Sequence, residues 1–361
     1  MTEVFSGSRS SSPLVVDGPD GWQPGLLSST SITQEMESAI PSETDRQDDG
    51  SDPGLDDDQC STKSMTDDVL NYQYLDDRAY HSRSFRSIYW APNDELQSEA
   101  MGLWYRCSGS SRLASVLITS QKILDVGTGT GAWAIEVGEA HPHALVIGTD
   151  LSPIQPQHVP PNVEFQIDDF NEPWTFKDNS LDYINMRFLT GSVRDWKFLV
   201  GEAYRCLKED GILESSEPSF LIESDDGTVD QTSAWDQWHG VFEEYGAQIG
   251  QTFSVVQEGI QRQALEEAHF SDIRELDYKI PIGKWPRDPE HRWLGRCAQS
   301  AIEKDALGFL LRPCTSIGWS IERIENYIAG LEAEMVSGIT HPWFGFKKVW
   351  GRKVPPSSVV Q

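Results

Sequence analysis

The sequence has no run of 18 or more apolar residues and no apolar segment near its start of the kind that directs secretion. A membrane-spanning helix is therefore not expected, and neither is export. The five cysteines are far apart and form no Cys-x-x-Cys pair, which is typical of free thiols in a reducing compartment. We expect a soluble protein of the cytoplasm or the nucleus.

Positive charge is scarce. The chain of 361 residues has 29 Lys and Arg against 57 Asp and Glu, which gives a formal net charge of -28. A field of this sign repels nucleic-acid phosphates and anionic membrane surfaces. We therefore expect neither direct nucleic-acid binding nor membrane binding.

The acidic excess is concentrated at the start of the chain, where residues 1–70 hold 15 Asp and Glu against three Lys and Arg. Residues 1–68 also have few aromatic side chains, so they cannot bury enough apolar surface to offset the entropy lost on ordering. They are predicted to form a disordered acidic tail. Residues 355–361 are predicted to be a flexible C-terminus.

Residues 69–354 are predicted to form one α/β domain. Short apolar runs bounded by turn residues alternate with helical patterns, which is typical of a mostly parallel sheet with helices on both faces. Five parallel strands are predicted at 121–126, 145–149, 163–167, 181–186 and 212–216, and two last strands at 272–280 and 346–354. Seven strands in all are thus expected.

The domain divides into three predicted parts. Residues 69–112 form an N-terminal cap of helices and loops, 113–217 form the cofactor-binding core, and 218–345 supply helical cap insertions and the last strands. Helices are predicted within these parts at 196–207, 233–249, 255–269, 292–311 and 321–336. The proline-rich segment 153–161 predicts a short, irregular crossover.

A glycine-rich loop follows the first strand of the core and precedes a helix. Gly127, Gly129 and Gly131 allow a tight turn and the close approach of a ligand to the helix N-terminus. This arrangement predicts a nucleotide-type cofactor. The glycine spacing by itself fits both a dinucleotide and S-adenosylmethionine.

Acidic residues after three successive strands favour S-adenosylmethionine. Asp125 would repel a pyrophosphate but attract the ammonium group of this cofactor. Asp150 is placed to accept hydrogen bonds from ribose hydroxyls, and Asp168 and Asp169 are placed to meet the adenine amino group. A methyltransferase is thus favoured over a dehydrogenase.

Longer motifs resemble the LaeA-like fungal methyltransferases. The resemblance rests on KILDVGTGTGAWAI at 122–135 and IGTDLSPIQP at 147–156, and it extends over roughly residues 72–353. It implies a Rossmann-like class I fold and S-adenosylmethionine as cofactor. It also implies a role in secondary metabolism, either as a nuclear regulator acting with velvet-type proteins or as a biosynthetic enzyme.

The resemblance also implies a set of cofactor-binding residues. The matching positions are Asp125, Gly127, Gly129, Gly131, Asp150 and Asp169, with Asn185 where the family usually has histidine. Thr128, Leu151, Asp168 and Asn185 are predicted to bind the cofactor as well. The N-terminal cap departs from the family pattern. Ala100, Met101, Gly102 and Tyr105 replace an Arg-Leu-Asp segment and a histidine, which suggests a different methyl acceptor.

Methyl transfer from a sulfonium mainly requires positioning, so a general base is optional. The candidate catalytic residues are Glu217, His239 and Asp236 as bases and Arg187 to orient an acidic acceptor. No metal site is expected, because His141 and His143 lack a third ligand nearby. The aromatic residues Trp235, Trp238, Phe242 and Tyr245 predict either an acceptor pocket or ordinary core packing.

Three functions remain open at this stage. The first is methylation of a small-molecule natural-product intermediate, and the second is a LaeA-type nuclear regulator that methylates protein or acts in a velvet-type complex. The third is a non-catalytic scaffold that retains the fold.

Overall fold

A computed structural model describes residues 69–107 and 119–354. The predicted acidic tail at 1–68, the end of the N-terminal cap and the predicted flexible residues 355–361 lie outside the described residues. Within the described part of the chain, no helix combines the length and the apolar character needed to cross a membrane.

A seven-stranded sheet forms the centre of the domain. Its strands are β3 (Lys122–Val126), β4 (Leu145–Asp150), β5 (Val163–Ile167), β6 (Leu181–Arg187), β7 (Leu207–Glu223), β8 (Ser271–Pro281) and β9 (Trp343–Arg352). They lie in the order β5-β4-β3-β6-β7-β9-β8. The pairs β3–β4, β4–β5, β3–β6 and β6–β7 are parallel, whereas β9 runs antiparallel to both neighbours. The predicted mostly parallel, seven-stranded Rossmann-like sheet is thus confirmed.

Seven helices are described. They are α1 (Glu95–Cys107), α2 (Ala132–Ala140), α3 (Trp196–Cys206), α4 (Asp236–Ile249), α5 (Ile260–Glu267), α6 (Pro289–Ser316) and α7 (Ile321–Ser337). Helices α4 and α5 follow β7, and α6 and α7 connect β8 to β9, so the predicted helical insertions around the last strands are confirmed. No helix spans 153–161, because four prolines interrupt that crossover.

The N-terminal cap contains a β-hairpin that the sequence analysis missed. Strands β1 (Tyr72–Leu75) and β2 (Arg78–Ser82) pair antiparallel. The turn residues Asp76 and Asp77 both have positive φ, at 48° and 61°. The prediction of only helices and loops here was wrong, because two aspartates replace the glycine that usually marks such a turn.

Two apolar clusters pack on the central sheet, and a third joins the end of the sheet to the helical insertions. The third cluster combines residues of β7 and β9 with α4, α6 and α7, and it includes Trp90 and Ala100 from the N-terminal cap. Burial of the Trp235, Trp238, Phe242 and Tyr245 side chains places them in this cluster. The cap and the insertions therefore share one core beside the carboxyl ends of the parallel strands.

Candidate active site

A cavity lies at the carboxyl ends of β3, β4 and β6, where the first crossovers leave the sheet. Its walls come from the loop 125–133, the segment 150–154, the β6 end at 187–192 and the cap residues 87–105. This is the edge of a parallel α/β sheet where ligands bind. We call it the cofactor cavity.

The three loop glycines have different surroundings. All have positive φ, at 65° for Gly127, 58° for Gly129 and 78° for Gly131. A Cβ at Gly131 would lie 2.3 Å from the Phe165 ring, and one at Gly127 would lie 2.6 Å from Leu189, whereas Gly129 has open space. Gly129 is therefore where a ligand can approach the backbone, and Gly131 is needed for packing.

Asp125 is buried in the wall of the cofactor cavity and is held by two side chains. Its carboxylate accepts hydrogen bonds from Thr128 Oγ1 at 2.6 Å and from Asn185 Nδ2 at 2.7 Å. Burial raises the pKa of Asp125, and these two hydrogen bonds oppose the rise. Asn185, predicted as a cofactor ligand, thus contacts Asp125 and is not itself part of the cavity lining.

Asp150 ends β4 and lines the same cavity together with Leu151. One carboxylate oxygen accepts from the Gly129 amide at 2.8 Å and the other from the Ser152 amide at 3.0 Å. Burial raises the pKa of Asp150 to about 6. The side chain is thus fixed against the glycine loop and retains lone pairs for further donors.

Asp168 and Asp169 are not among the residues that line the cofactor cavity. Asp169 is buried and accepts hydrogen bonds from Ser87 Oγ at 2.7 Å and from the Asn171 amide at 3.0 Å. Ser87 and Asn171 do line the cavity. Asp169 therefore ties the cap to the loop after β5.

Cap residues between β2 and α1 complete the cavity, and sequence analysis missed them. Tyr89, Asn93 and Gln97 line it. Asn93 donates to Ser152 Oγ at 3.1 Å, but its Oδ1 and both amide atoms of Gln97 are buried without a partner among the described residues. Asn93 and Gln97 lie just before and inside the first turn of α1, where polar residues are common whether or not they face a cavity.

The unpartnered polar atoms test whether S-adenosylmethionine fits. Besides Asn93 and Gln97, Trp133 Nε1 and Ser192 Oγ are buried without partners, and both residues line the cavity. Buried polar groups are normally hydrogen-bonded. A ligand with a carboxylate, an ammonium group, ribose hydroxyls and a base would supply both donors and acceptors to them, so the residues present fit this cofactor.

Arg187 lines the cofactor cavity, unlike the other three predicted catalytic residues. Its guanidinium lies 4.5 Å from the centre of the Tyr105 ring, and the Tyr105 hydroxyl donates to Glu136. The charge of Arg187 also lowers the pKa of the buried Asp125, against the larger effect of burial. Tyr105, which replaces a family histidine, therefore stacks on the cation at the cavity wall.

A second cavity adjoins the first, since Tyr89, Met101 and Phe188 line both. We call it the aromatic cavity. The remaining lining is almost entirely apolar and comes from α1, the end of β7, the start of α4, α6 and β9: Trp90, Trp104, Thr190, Pro218, Ser219, Phe220, Ile222, Trp235, Trp238, Ile282, Ile302, Phe309 and Phe344. Of the predicted pocket aromatics, Trp235 and Trp238 line it, while Phe242 and Tyr245 pack in the core.

Glu217 lines neither cavity. It is fully buried, and its carboxylate accepts from the Leu189 amide at 3.1 Å, the Thr190 amide at 2.9 Å and the Thr190 hydroxyl at 2.8 Å. Burial raises the pKa of Glu217 to about 7. These bonds hold the loop after β6 in place. Glu217 is not at the end of its strand, because β7 continues to Glu223.

His239 and Asp236 also line neither cavity. They lie on α4, whose apolar side packs into the core through Trp238, Val241 and Phe242. Asp236 is exposed, and His239 is half-buried. The structure does not bring these two side chains to the reaction site.

The fold and the glycine loop define an α/β nucleotide-cofactor enzyme, and an apolar cavity adjoins its cofactor cavity. A Methyltransferase domain family model matches residues 105–274. The methyltransferase pytC of Aspergillus terreus is 32% identical over 309 residues, which cover 83% of this chain and 94% of the relative. The chain therefore belongs to the LaeA-like family of fungal S-adenosylmethionine-dependent methyltransferases.

Other relatives carry regulatory or protein-modifying names. The secondary metabolism regulator LAE1 of Cochliobolus heterostrophus is 28% identical, over 79% of this chain and 96% of its own length. The protein-methionine methyltransferase laeA of Emericella nidulans is 29% identical, over 74% of this chain and 72% of its own length. Among solved structures, the phosphoethanolamine N-methyltransferase 2 of Haemonchus contortus has a TM-score of 0.41 at 18% identity, over 71% of this chain and 52% of that chain.

Proposed function

We propose that this enzyme methylates a small, largely apolar intermediate of secondary metabolism. The aromatic cavity beside the cofactor cavity is the observation that carries the proposal. A cavity lined by aromatic rings favours an aromatic or polycyclic molecule over a polar peptide. The pytC relative is named a methyltransferase, with no regulatory role in its name, which is compatible with this proposal.

We propose the following division of roles in the cofactor cavity. Asp150 accepts hydrogen bonds from the ribose hydroxyls, Asp125 attracts the ammonium group, and Gly129 allows the close approach of the backbone. Thr128 and Asn185 orient Asp125. Leu151 covers the adenosine portion, Gly127 and Gly131 shape the loop, and Asp168 and Asp169 act indirectly through the loop that carries Asn171.

S-Adenosylmethionine supplies, when bound, an activated methyl group on a sulfonium. The chain then has to hold the acceptor in line with that group and exclude water. Phe188, Met101 and Tyr89 stand where the two cavities meet, so we propose that they position the acceptor. Arg187 stabilises the negative charge of Asp125 in the wall of the cofactor cavity.

We propose that none of Glu217, His239 and Asp236 acts as the base, since they line neither cavity. Glu217 instead positions Leu189 and Thr190 at the boundary. An acceptor whose hydroxyl or acidic carbon gives up its proton to water needs no base from the protein, and such an acceptor fits this arrangement.

The test is transfer of a labelled methyl group from S-adenosylmethionine in an extract of the source organism. The extract is then separated into small molecules and proteins. We expect label in the small-molecule fraction with the wild-type chain. Asp150→Ala should reduce the transferred label at least tenfold, because it removes a pair of charge-assisted hydrogen bonds to the cofactor. Asp277→Ala, which removes an exposed carboxylate on β8, is the matched control and should leave transfer unchanged. Label found only in proteins would contradict the proposal.

The second candidate is a LaeA-type regulator that methylates protein or works in a velvet-type complex. The names of the Cochliobolus and Emericella relatives favour it. The same experiment separates the two candidates, because this one places the label in the protein fraction. The small-molecule enzyme is proposed to act in the cytoplasm, and the regulator in the nucleus.

A further inference from the structure

The aromatic cavity contains two hydrogen-bond donors that have no acceptor in the protein. Trp104 on α1 and Trp235, which directly precedes α4, both line the cavity. The indole Nε1 of each is buried and has no partner among the described residues. An indole N–H can only donate, and leaving a buried donor unpaired costs about as much as losing a hydrogen bond.

Three other lining residues, Trp90, Thr190 and Ser219, have polar groups that are already paired within the protein. Trp90 Nε1 donates to the Thr190 carbonyl at 3.1 Å, and the Thr190 hydroxyl donates to Glu217 at 2.8 Å. The Ser219 hydroxyl donates to the Leu221 carbonyl at 3.2 Å and accepts from Gln257 Nε2 at 2.6 Å. The indole donors of Trp104 and Trp235 therefore differ from these paired groups, which need no hydrogen-bond partner from a ligand.

Among the residues that the structure describes, no Lys, Arg or His side chain lines the aromatic cavity. An ionised carboxylate or phosphate placed there would have no compensating charge, and burying it would be costly. A neutral oxygen can accept from an indole N–H without that cost. The cavity thus selects against anions and in favour of neutral acceptor oxygens.

The rings in the wall favour a flat ligand. Trp90 meets Phe220 edge to face at 5.8 Å between ring centres, and Trp104 meets Phe344 in the same way at 4.9 Å. Such walls present both ring faces and ring edges, which pack well against another aromatic ring.

We infer that the methyl acceptor is a neutral aromatic or fused-ring molecule with a carbonyl or ether oxygen that accepts hydrogen bonds from Trp104 and Trp235. This inference rests on the proposed function, because it names the substrate class of the same cavity. The two tryptophans determine specificity. Methyl transfer takes place at the other end of the molecule, beside Tyr89, Met101 and Phe188. There the acceptor would form its bond to the methyl carbon as the carbon–sulfur bond of the sulfonium breaks, and its proton would pass to water.

Two probes of equal shape test the inference on the full chain. They are 2-acetylnaphthalene and 2-isopropenylnaphthalene, in which a CH₂ group replaces the carbonyl oxygen. Calorimetric titration with S-adenosylmethionine present should show the ketone binding about tenfold more tightly than the alkene. Trp104→Phe and Trp235→Phe should each weaken ketone binding about fivefold and leave alkene binding within about twofold.

Trp90→Phe is the matched control, since Trp90 lines the same cavity but its Nε1 already donates to the Thr190 carbonyl. It should change the affinities for both probes alike. Alkene binding also shows that each variant is folded. If Trp235→Phe fails to fold, the infrared carbonyl stretch of the bound ketone decides: it should lie at lower frequency in the wild type and move back in Trp104→Phe.

The outcomes are distinguishable. Equal affinity of the wild type for ketone and alkene, or a carbonyl stretch that Trp104→Phe does not move, would overturn the inference and leave the small-molecule function intact. Binding of neither probe would overturn both.

Discussion

The carboxyl group of Asp150 ends β4 beside the amide of Gly129, and burial raises its pKa to about 6. A carboxyl group is protonated below its pKa, and the protonated form has fewer free lone pairs for ribose hydroxyls. Affinity for S-adenosylmethionine should therefore fall as pH is lowered through 6. At pH 5 about nine tenths of the Asp150 carboxyls are protonated, which predicts roughly tenfold weaker binding than at pH 7.

The measurement is a calorimetric titration of S-adenosylmethionine at pH 5, 6 and 7. Asp150→Asn is the control, because it has no ionisable group at this position and should bind weakly with a much flatter pH dependence. A wild-type affinity that does not change between pH 5 and 7 would show that Asp150 does not contact the cofactor.

Single residues also show why part of the site could not be predicted. The loop glycines and Asp125 and Asp150 follow strands, and the carboxyl ends of parallel strands meet at one edge, so their convergence was predictable. Glu217 was predicted to follow the end of a strand but lies inside β7, because an apolar run predicts where a strand is and not how far it continues. Asn93 and Gln97 carry no motif that separates a cavity residue from a helix-start residue.

At the scale of elements, Arg78 on β2 joins the N-terminal hairpin to α6. Its guanidinium bonds to Asp305 at 2.6 Å and to Asp94, just before α1, also at 2.6 Å. Asp305 has non-helical backbone angles inside α6, and its carboxylate accepts from the Gly308 amide at 2.9 Å, as a cap does. The ion pair therefore holds together three elements around a kink.

Arg78→Met should lower the free energy of unfolding by about 3–5 kcal/mol, because it leaves the buried Asp305 without its cation. The double variant Arg78→Met with Asp305→Asn should recover part of this loss, since the unpaired charge is gone. Arg194→Met, which breaks an exposed pair with Glu172, should cost about 1 kcal/mol or less. Urea unfolding of the four proteins measures the effects, and equal losses for Arg78→Met and Arg194→Met would contradict the expectation.

The elements differ in how well their sequences revealed them. Strands β3, β4 and β6 are buried over most of their length, so each is a short run rich in apolar residues with turn residues at its ends. The edge strand β5 instead alternates apolar and polar residues, which also predicts a strand. The β1–β2 hairpin was missed because Tyr72–Leu75 and Arg78–Ser82 are short and polar. Its turn uses Asp76 and Asp77 without glycine.

At the scale of the whole molecule, neither cavity is complete within one stretch of chain. The cofactor cavity needs the glycine loop, the β6 end and cap residues such as Tyr89 and Gln97, and the aromatic cavity adds residues of α6 and β9. Several hydrogen bonds fasten the cap over this edge, including Ser87 to Asp169 and Trp90 to Thr190. Cofactor binding should therefore stabilise the cap and the sheet together.

S-Adenosylmethionine at a hundred times its dissociation constant should raise the free energy of unfolding by about 2.7 kcal/mol in a single transition. Amide hydrogen exchange should slow both at residues 87–93 of the cap and at 127–133 of the loop, since both segments line the cofactor cavity. Asp150→Ala at the same ligand concentration is the control and should lose the slowing in both places. Slowing confined to 127–133 would show that the cap does not contribute to the cofactor site, and the cap residues would then have to act on the methyl acceptor alone.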